Sequence, residues 1–213
     1  MSPNPLIGKS SDRDPIRSYT GSMKITLILT IAIVLGWVNV LAGSSSRGIE
    51  LYQANQFGEA ESVLREEVGA EPENAKAWHS LGMTLLRLGK LDEAKDALRK
   101  AADLDPADAE AKLGLAEAAA HEKNFDEANG LVEEAVALNA DSPRIPYVRG
   151  VIKAGQRDFK GAVKDLEEAC EKDERNAYAH YYAGLSYNAL KRPDKMIGHF
   201  QSFTKLAGKA PEA

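Results

Sequence analysis

The sequence has a single cysteine, Cys170, in 213 residues. One thiol excludes an intramolecular disulfide and any cysteine-rich zinc module, and it reads as a small, buried, inert hydrophobe. Basic charge is also in short supply, with 27 Lys and Arg against 32 Asp and Glu. Four basic and two acidic residues fall within 1–42, which leaves 23 basic against 30 acidic beyond it. An acidic body has no face for displacing counterions from phosphates, so nucleic acid is not an expected partner. Signatures of catalysis are missing too. His79, His121, His180 and His199 fall in no HExxH or related ligand spacing, and neither a GxxxxGK loop nor a GxSxG elbow occurs. The sequence therefore points to no catalytic residue, no metal and no cofactor, and an enzyme is not expected.

What is present begins at the N-terminus. Residues 1–22 are rich in Ser, Pro, Asp and Arg without apolar periodicity and read as a disordered extension. Lys24 then precedes ITLILTIAIVLGWV, an uncharged run that leads into Asn39-Val40-Leu41-Ala42-Gly43. A basic start, a short apolar core and small residues at Val40 and Ala42 are the parts of a secretory signal peptide over 23–42, cut after Ala42. Met23-Lys24 reads as the true start of that signal. The rival reading is an uncleaved anchor, since Ile25 to Ala42 as a helix is about 27 Å long, enough to cross a bilayer. Ser44 stands where a lipoprotein would need cysteine, which excludes lipidation. Both surviving readings put the rest of the chain outside the cytoplasm: secreted or periplasmic after cleavage, otherwise tethered to the membrane by one helix.

Beyond residue 42 the sequence repeats. The segment Ala75 to Asp108 has copies in phase at 41–74, 109–142, 143–176 and 177–210, a period of 34 residues without insertion or deletion. One position reads Ala60, Ala94, Ala128, Ala162, Met196; another reads Gly48, Gly82, Ala116, Gly150, Gly184. A third reads Leu64, Leu98, Val132, Leu166, Phe200. Each copy holds two apolar-periodic stretches around a short break such as Leu88-Gly89-Lys90, the pattern of two antiparallel helices. The small residues mark close approach of helix axes, and Pro72 and Pro106 stop their second helices. Acidic pairs such as Glu66-Glu67, Glu133-Glu134 and Glu167-Glu168 recur near the ends of second helices, as a solvated outer face would.

In the second copy, Trp78, Leu81-Gly82, Leu85, Ala94, Leu98, Ala101 and Pro106 resemble the tetratricopeptide-repeat (TPR) pattern, and the resemblance covers residues 41–210. Pro146 in place of the Trp, and the missing terminal proline in copies 3 to 5, depart from it. The resemblance implies an all-α, right-handed superhelical solenoid over 43–210 with a short tail, 211–213, and a protein-interaction scaffold that docks a peptide or partner protein in its concave groove, within an extracytoplasmic or envelope assembly. The groove positions of the family fall here on Met83, Leu86 and Arg87, on Leu113, Glu117 and His121, and on Arg144, Tyr147 and Val151. In copy 5 they fall on Tyr178, Tyr181, Tyr182, Leu185 and Asn188, and the three tyrosines are the leading partner site. His79 and His121, in neighbouring groove positions, read as polar lining and not as a metal pair. The Lys, Asn and Arg clamp by which some members hold chaperone C-termini would fall on Ser45, Ile49, Ser80, Glu110 and Gly114, which cannot form it. The last helix has no polar cap after it, and Ile197, Phe200 and Phe203 offer a stripe for a homodimer. The alternative function is thus a self-associating structural subunit, and an accessory role beside an enzyme ranks third.

Overall fold

Leu88-Gly89-Lys90 and its equivalents are the key to how each copy folds back on itself. The computed structural model describes residues 47–207; the N-terminal extension, the apolar run 23–42 and the tail 211–213 lie outside the described residues. Within them are ten α-helices and no strand. In chain order they are α1 (Arg47–Gln53), α2 (Phe57–Ala70), α3 (Ala75–Arg87), α4 (Leu91–Leu104) and α5 (Ala109–His121), followed by α6 (Phe125–Leu138), α7 (Arg144–Gly155), α8 (Phe159–Lys172), α9 (Ala177–Ala189) and α10 (Pro193–Ala207). Successive pairs form hairpins that stack as a TPR solenoid. No described helix is long and apolar enough to cross a membrane.

Every hairpin turns on one residue in the left-handed region: Asn55, Gly89, Lys123, Arg157 and Lys191, with φ between 59° and 74°. These positions are spaced by the repeat itself. Around Gly89 the amide of Gly89 donates to Leu86 O and that of Lys90 to Leu85 O, the paired bonds that close a helix C-terminus. The same two bonds recur at Lys123 and Asn124, and at Arg157 and Asp158. Three of the first helices start on side-chain caps: Asn74 accepts from the Ala77 amide, Asp108 from Glu110 and Asn176 from Ala179. Pro146 does not break α7, because it sits in the first turn, where its missing N–H has no carbonyl to serve.

Inside each hairpin the small residue of the first helix faces the large one of the second. A Cβ at Gly82 would stand 2.5 Å from Leu98 Cγ; one at Gly150 would stand 2.5 Å from Leu166 Cγ, and one at Gly184 would stand 2.8 Å from Phe200. Copy 3 has Ala116 and Val132 at these places, a larger residue opposite a smaller one, and both are buried. The alanines at the other repeated position, Ala60, Ala94, Ala128 and Ala162, are all fully buried. One core cluster runs from Ala60 to Ala118 and the other from Ala109 to Ala183, so α5 contributes to both and joins them into one interior.

Candidate partner-binding groove

Helix α5 reads AEAKLGLAEAAAH, and its short side chains let those of α3 and α7 meet above it. They meet on Glu117, which is fully buried. Arg87, in the last turn of α3, donates to Glu117 Oε1 at 2.7 Å. Arg144, the first residue of α7, donates to Oε2 at 3.0 Å, and the Tyr147 hydroxyl donates to Oε1 at 2.5 Å. Arg144 also reaches Glu110 Oε2 at 3.3 Å, and Ser142 donates to Glu110 Oε1 at 2.6 Å. One carboxylate thus ties three successive repeats together. Removing a lone charge from water costs several kcal/mol, so the arrangement holds only because each charge is paired and hydrogen-bonded.

The electrostatics follow from that pairing. Burial alone would raise the Glu117 pKa, but Arg87, then Arg144 and the Tyr147 hydroxyl outweigh it and hold the carboxyl at about 2. Burial opposes the charge on Arg87 and Arg144, yet Glu117 more than offsets it and keeps both above the ordinary arginine value. Burial and then Glu117 push the Tyr147 phenol well up, so it stays a donor.

Copy 5 closes the site from the other side. The Arg87 guanidinium lies 4.0 Å from the centre of the Tyr178 ring, a cation–π contact between α3 and α9. Tyr182 packs 6.2 Å from Tyr147 and its hydroxyl is 3.4 Å from His121 Nε2. A cavity of about 680 Å³ opens between the ends of the array, with Tyr52 and Phe57 of copy 1 on one wall, Arg175, Tyr178 and Leu206 on the other, and Arg87, Arg144 and Tyr147 as its floor. The lining is rich in aromatic rings and guanidinium groups, with Asp173 as its one carboxylate, in a chain that is acidic as a whole.

The residues expected in the groove do not all reach it. Arg87, Arg144 and Tyr178 line the cavity, and Tyr147 contributes to its floor. Met83, Leu86, Leu113, Glu117 and Val151 are buried, so these five are interior packing and not open surface, and Tyr147 is buried too although it borders the cavity floor. The cause is the narrowness of the array above α5, where side chains from α3 and α7 cover one another. Tyr181 packs 5.2 Å from Phe203 and 6.2 Å from Phe200, in the α9–α10 hairpin. Leu185, Asn188 and His121 are exposed. Of the stripe on α10, Phe200 and Phe203 are half-covered by that packing, and Ile197 alone of the three is largely exposed, at 51%. His79 faces Asp108, 3.8 Å away, while His121 faces Tyr182, so the two histidines serve different contacts. Tyr52 and Arg175 were not among the expected groove residues. Both lie near helix ends that meet only when the superhelix has turned, a long-range consequence without a local signal.

Residues 51–207 match the family described as the cytochrome c-type biogenesis protein H TPR domain. No curated protein matches the chain. Similar solved structures include a thermophilic TPR protein of Thermus thermophilus, with 17% identity and a TM-score of 0.64 over 76% of this chain and 89% of that one. A chain of an APC/C hetero-tetramer is 22% identical with a TM-score of 0.59, over 76% of this chain and 32% of that one. MamA from Desulfovibrio magneticus RS-1 is 18% identical with a TM-score of 0.49, over 79% of this chain and 96% of that one.

Proposed function

The chain belongs to the family of the cytochrome c-type biogenesis protein H TPR domain, and from that premise we propose that it is a non-catalytic scaffold of cytochrome c-type biogenesis that docks a polypeptide segment in its concave cavity. The observation that carries the reading is the cavity between Tyr52, Arg87, Arg144 and Tyr178, large enough for several side chains and lined by aromatic rings and guanidinium groups. Such a lining favours a segment that carries carboxylates beside apolar side chains: the rings supply area at little entropic cost, and arginine supplies paired donors for carboxylate. Arg175 adds a further guanidinium at the rim, beside Asp173, whose carboxylate accepts from the Arg175 backbone amide at 3.0 Å. The apolar run behind Lys24 supports an extracytoplasmic setting for the assembly.

A photo-crosslinking side chain placed at Tyr178 of the full-length chain in its host tests this. The expected product joins the chain to a c-type cytochrome polypeptide or to a component of its assembly, and Tyr52→Ala with Arg175→Ala reduces its yield at least tenfold. The same substitution on the outer face at Glu133 gives no such product. Normal levels of covalently haem-bearing c-type cytochromes in a strain lacking the chain would refute the role, whatever the crosslinks.

A further inference from the structure

The described residues also bring together three side chains that the groove does not use. Cys170 stands in the last turn of α8, His180 in the first turn of α9 and His199 in the middle of α10. Cys170 Sγ is 3.6 Å from His180 Nδ1, and His180 Nδ1 is 3.1 Å from His199 Nδ1. One ligand atom from each lies within 4.8 Å of the others. We propose that Cys170, His180 and His199 form a binding site for one thiophilic cation of the zinc class, which staples α10 to α8 and α9.

The distances fit the ion. Around tetrahedral Zn²⁺, with Zn–S near 2.3 Å and Zn–N near 2.05 Å, sulfur and nitrogen ligands stand about 3.6 Å apart and two nitrogens about 3.3 Å apart. The 3.6 Å and 3.1 Å separations match two of the three ligand pairs, and the third, Cys170 to His199, lies within 4.8 Å and closes by a small side-chain adjustment. All three residues are only partly buried, so the ion has a way in, and water completes the fourth position. Glu167, Glu171 and Asp173 lie close enough to act on the Cys170 thiol and favour a cation there, and they outnumber Lys195, the one cationic side chain acting on His199. The Tyr187 ring stacks on His199 with centres 5.5 Å apart, and the Tyr187 hydroxyl donates to Glu167, which holds the imidazole in place. Binding releases the thiol proton to water as the sulfur–metal bond forms, and no electron is transferred.

A staple at this point has a physical purpose. Helix α10 has no buried residue, unlike every other described helix, and it packs on α9 alone, so a tie to α8 would add a second anchor. The competing account is a plain hydrogen bond between the two imidazoles with the thiol alongside. The two separate cleanly when the chelator-stripped full-length chain is titrated with Co²⁺ and then Zn²⁺. One equivalent of Co²⁺ is expected to give a near-ultraviolet thiolate charge-transfer band, which Zn²⁺ abolishes by displacement. Cys170→Ser removes the band, and His199→Gln, on the half-exposed α10, weakens binding at least about tenfold. His121→Gln changes neither. Zn²⁺ raises the melting temperature of the unsubstituted chain but not that of Cys170→Ser. A chain that gives no saturable band, or one whose band survives Cys170→Ser, overturns the site. If Cys170→Ser fails to fold, equal Co²⁺ affinity in His199→Gln and the unsubstituted chain does the same.

Discussion

Copy 3 differs from its neighbours at two positions at once, and that difference predicts a double substitution in copy 2. A Cβ at Gly82 would lie 2.5 Å from Leu98 Cγ and 2.9 Å from its Cδ2, with the Ala94 carbonyl at 3.2 Å. Leu98 cannot retreat: it is fully buried, and a Cβ at Gly114 of the next repeat would already be 2.9 Å from the same Cδ2. Gly82→Ala therefore overpacks the site by about 2–3 kcal/mol, against a gain of about 1 kcal/mol from the better helix former, a net loss of about 1.5 kcal/mol. Leu98→Val removes one methylene and leaves a small void, again about 1.5 kcal/mol. Together the two recreate the Ala116 and Val132 pairing of copy 3. The double variant should lose only about 1 kcal/mol, not about 3, a favourable coupling of about 2 kcal/mol. Urea unfolding followed by helical circular dichroism measures all three variants, with unchanged m values as the check that the denatured state is the same. Each kcal/mol should also move the melting temperature by about 2–4 °C. A stabilising Gly82→Ala, or three variants additive within about 0.5 kcal/mol, would refute the claim that this pair sets the spacing inside a hairpin.

Three further outcomes follow from the same structure. The lowered Glu117 pKa gives stability that is complete above about pH 4.5 and is lost as pH falls towards about 2, a loss of roughly 3 kcal/mol that Glu117→Gln should remove from the acid limb of a pH–stability curve. Glu117→Gln itself should cost about 3–5 kcal/mol at neutral pH, since two buried guanidiniums lose their counter-charge. At the hairpin turns, Gly89→Ala should destabilise by about 1 kcal/mol, because φ is 74° there, whereas Lys123→Gly at φ 64° should be neutral or slightly stabilising in thermal melts. Asn74→Ala should cost about 1 kcal/mol by removing a helix cap, while Asn124→Ala, whose side chain accepts no capping bond, should cost a few tenths.

The fold was legible because a repeat writes its packing rule several times. The Gly48, Gly82, Gly150 and Gly184 series, with its large partners one helix later, is a contact list in one dimension, and the hairpins have that contact. The left-handed turn residues were less legible. Gly89 and Asn55 advertise their conformation, whereas Lys123, Arg157 and Lys191 occupy it because the flanking helices leave the chain no other way back. The groove was read one layer too deep. Family positions pick the inward-facing side chains of the first helices, but whether such a side chain ends in a channel or in the interior depends on its neighbours' bulk. Here alanines along α5 drew Arg87, Arg144 and Tyr147 together over Glu117. Tyr52 and Arg175 face one cavity from copies 1 and 4, far apart in sequence, which no local pattern can express. Cys170, His180 and His199 escaped notice for the same reason: separations of 10 and 19 residues match no ligand motif until three helices are packed.

The position of the buried charges has a consequence for how the groove can work. In a stacked array each repeat touches only its neighbours, so curvature is the sum of small junction angles, and a soft junction would let the concave face open or close. Glu117 spans the junctions on both sides of copy 3 with bonds to Arg87 and to Arg144. Those same arginines form the floor of the cavity. Their charge is already offset by Glu117 and, at Arg144, by Glu110, so an incoming carboxylate meets guanidiniums that are held in place and need not be reorganised, at the expense of a weaker net attraction. Tyr178 lies over Arg87 and links copy 5 to copy 2 across the opening. A segment that docks there must either stack beside that ring or displace it. Displacement would break the contact between copies 2 and 5, whereas stacking would leave it intact. Selectivity in this groove is accordingly a matter of which segments can add to the Tyr178–Arg87 contact without breaking it, and charge alone would be a poor guide.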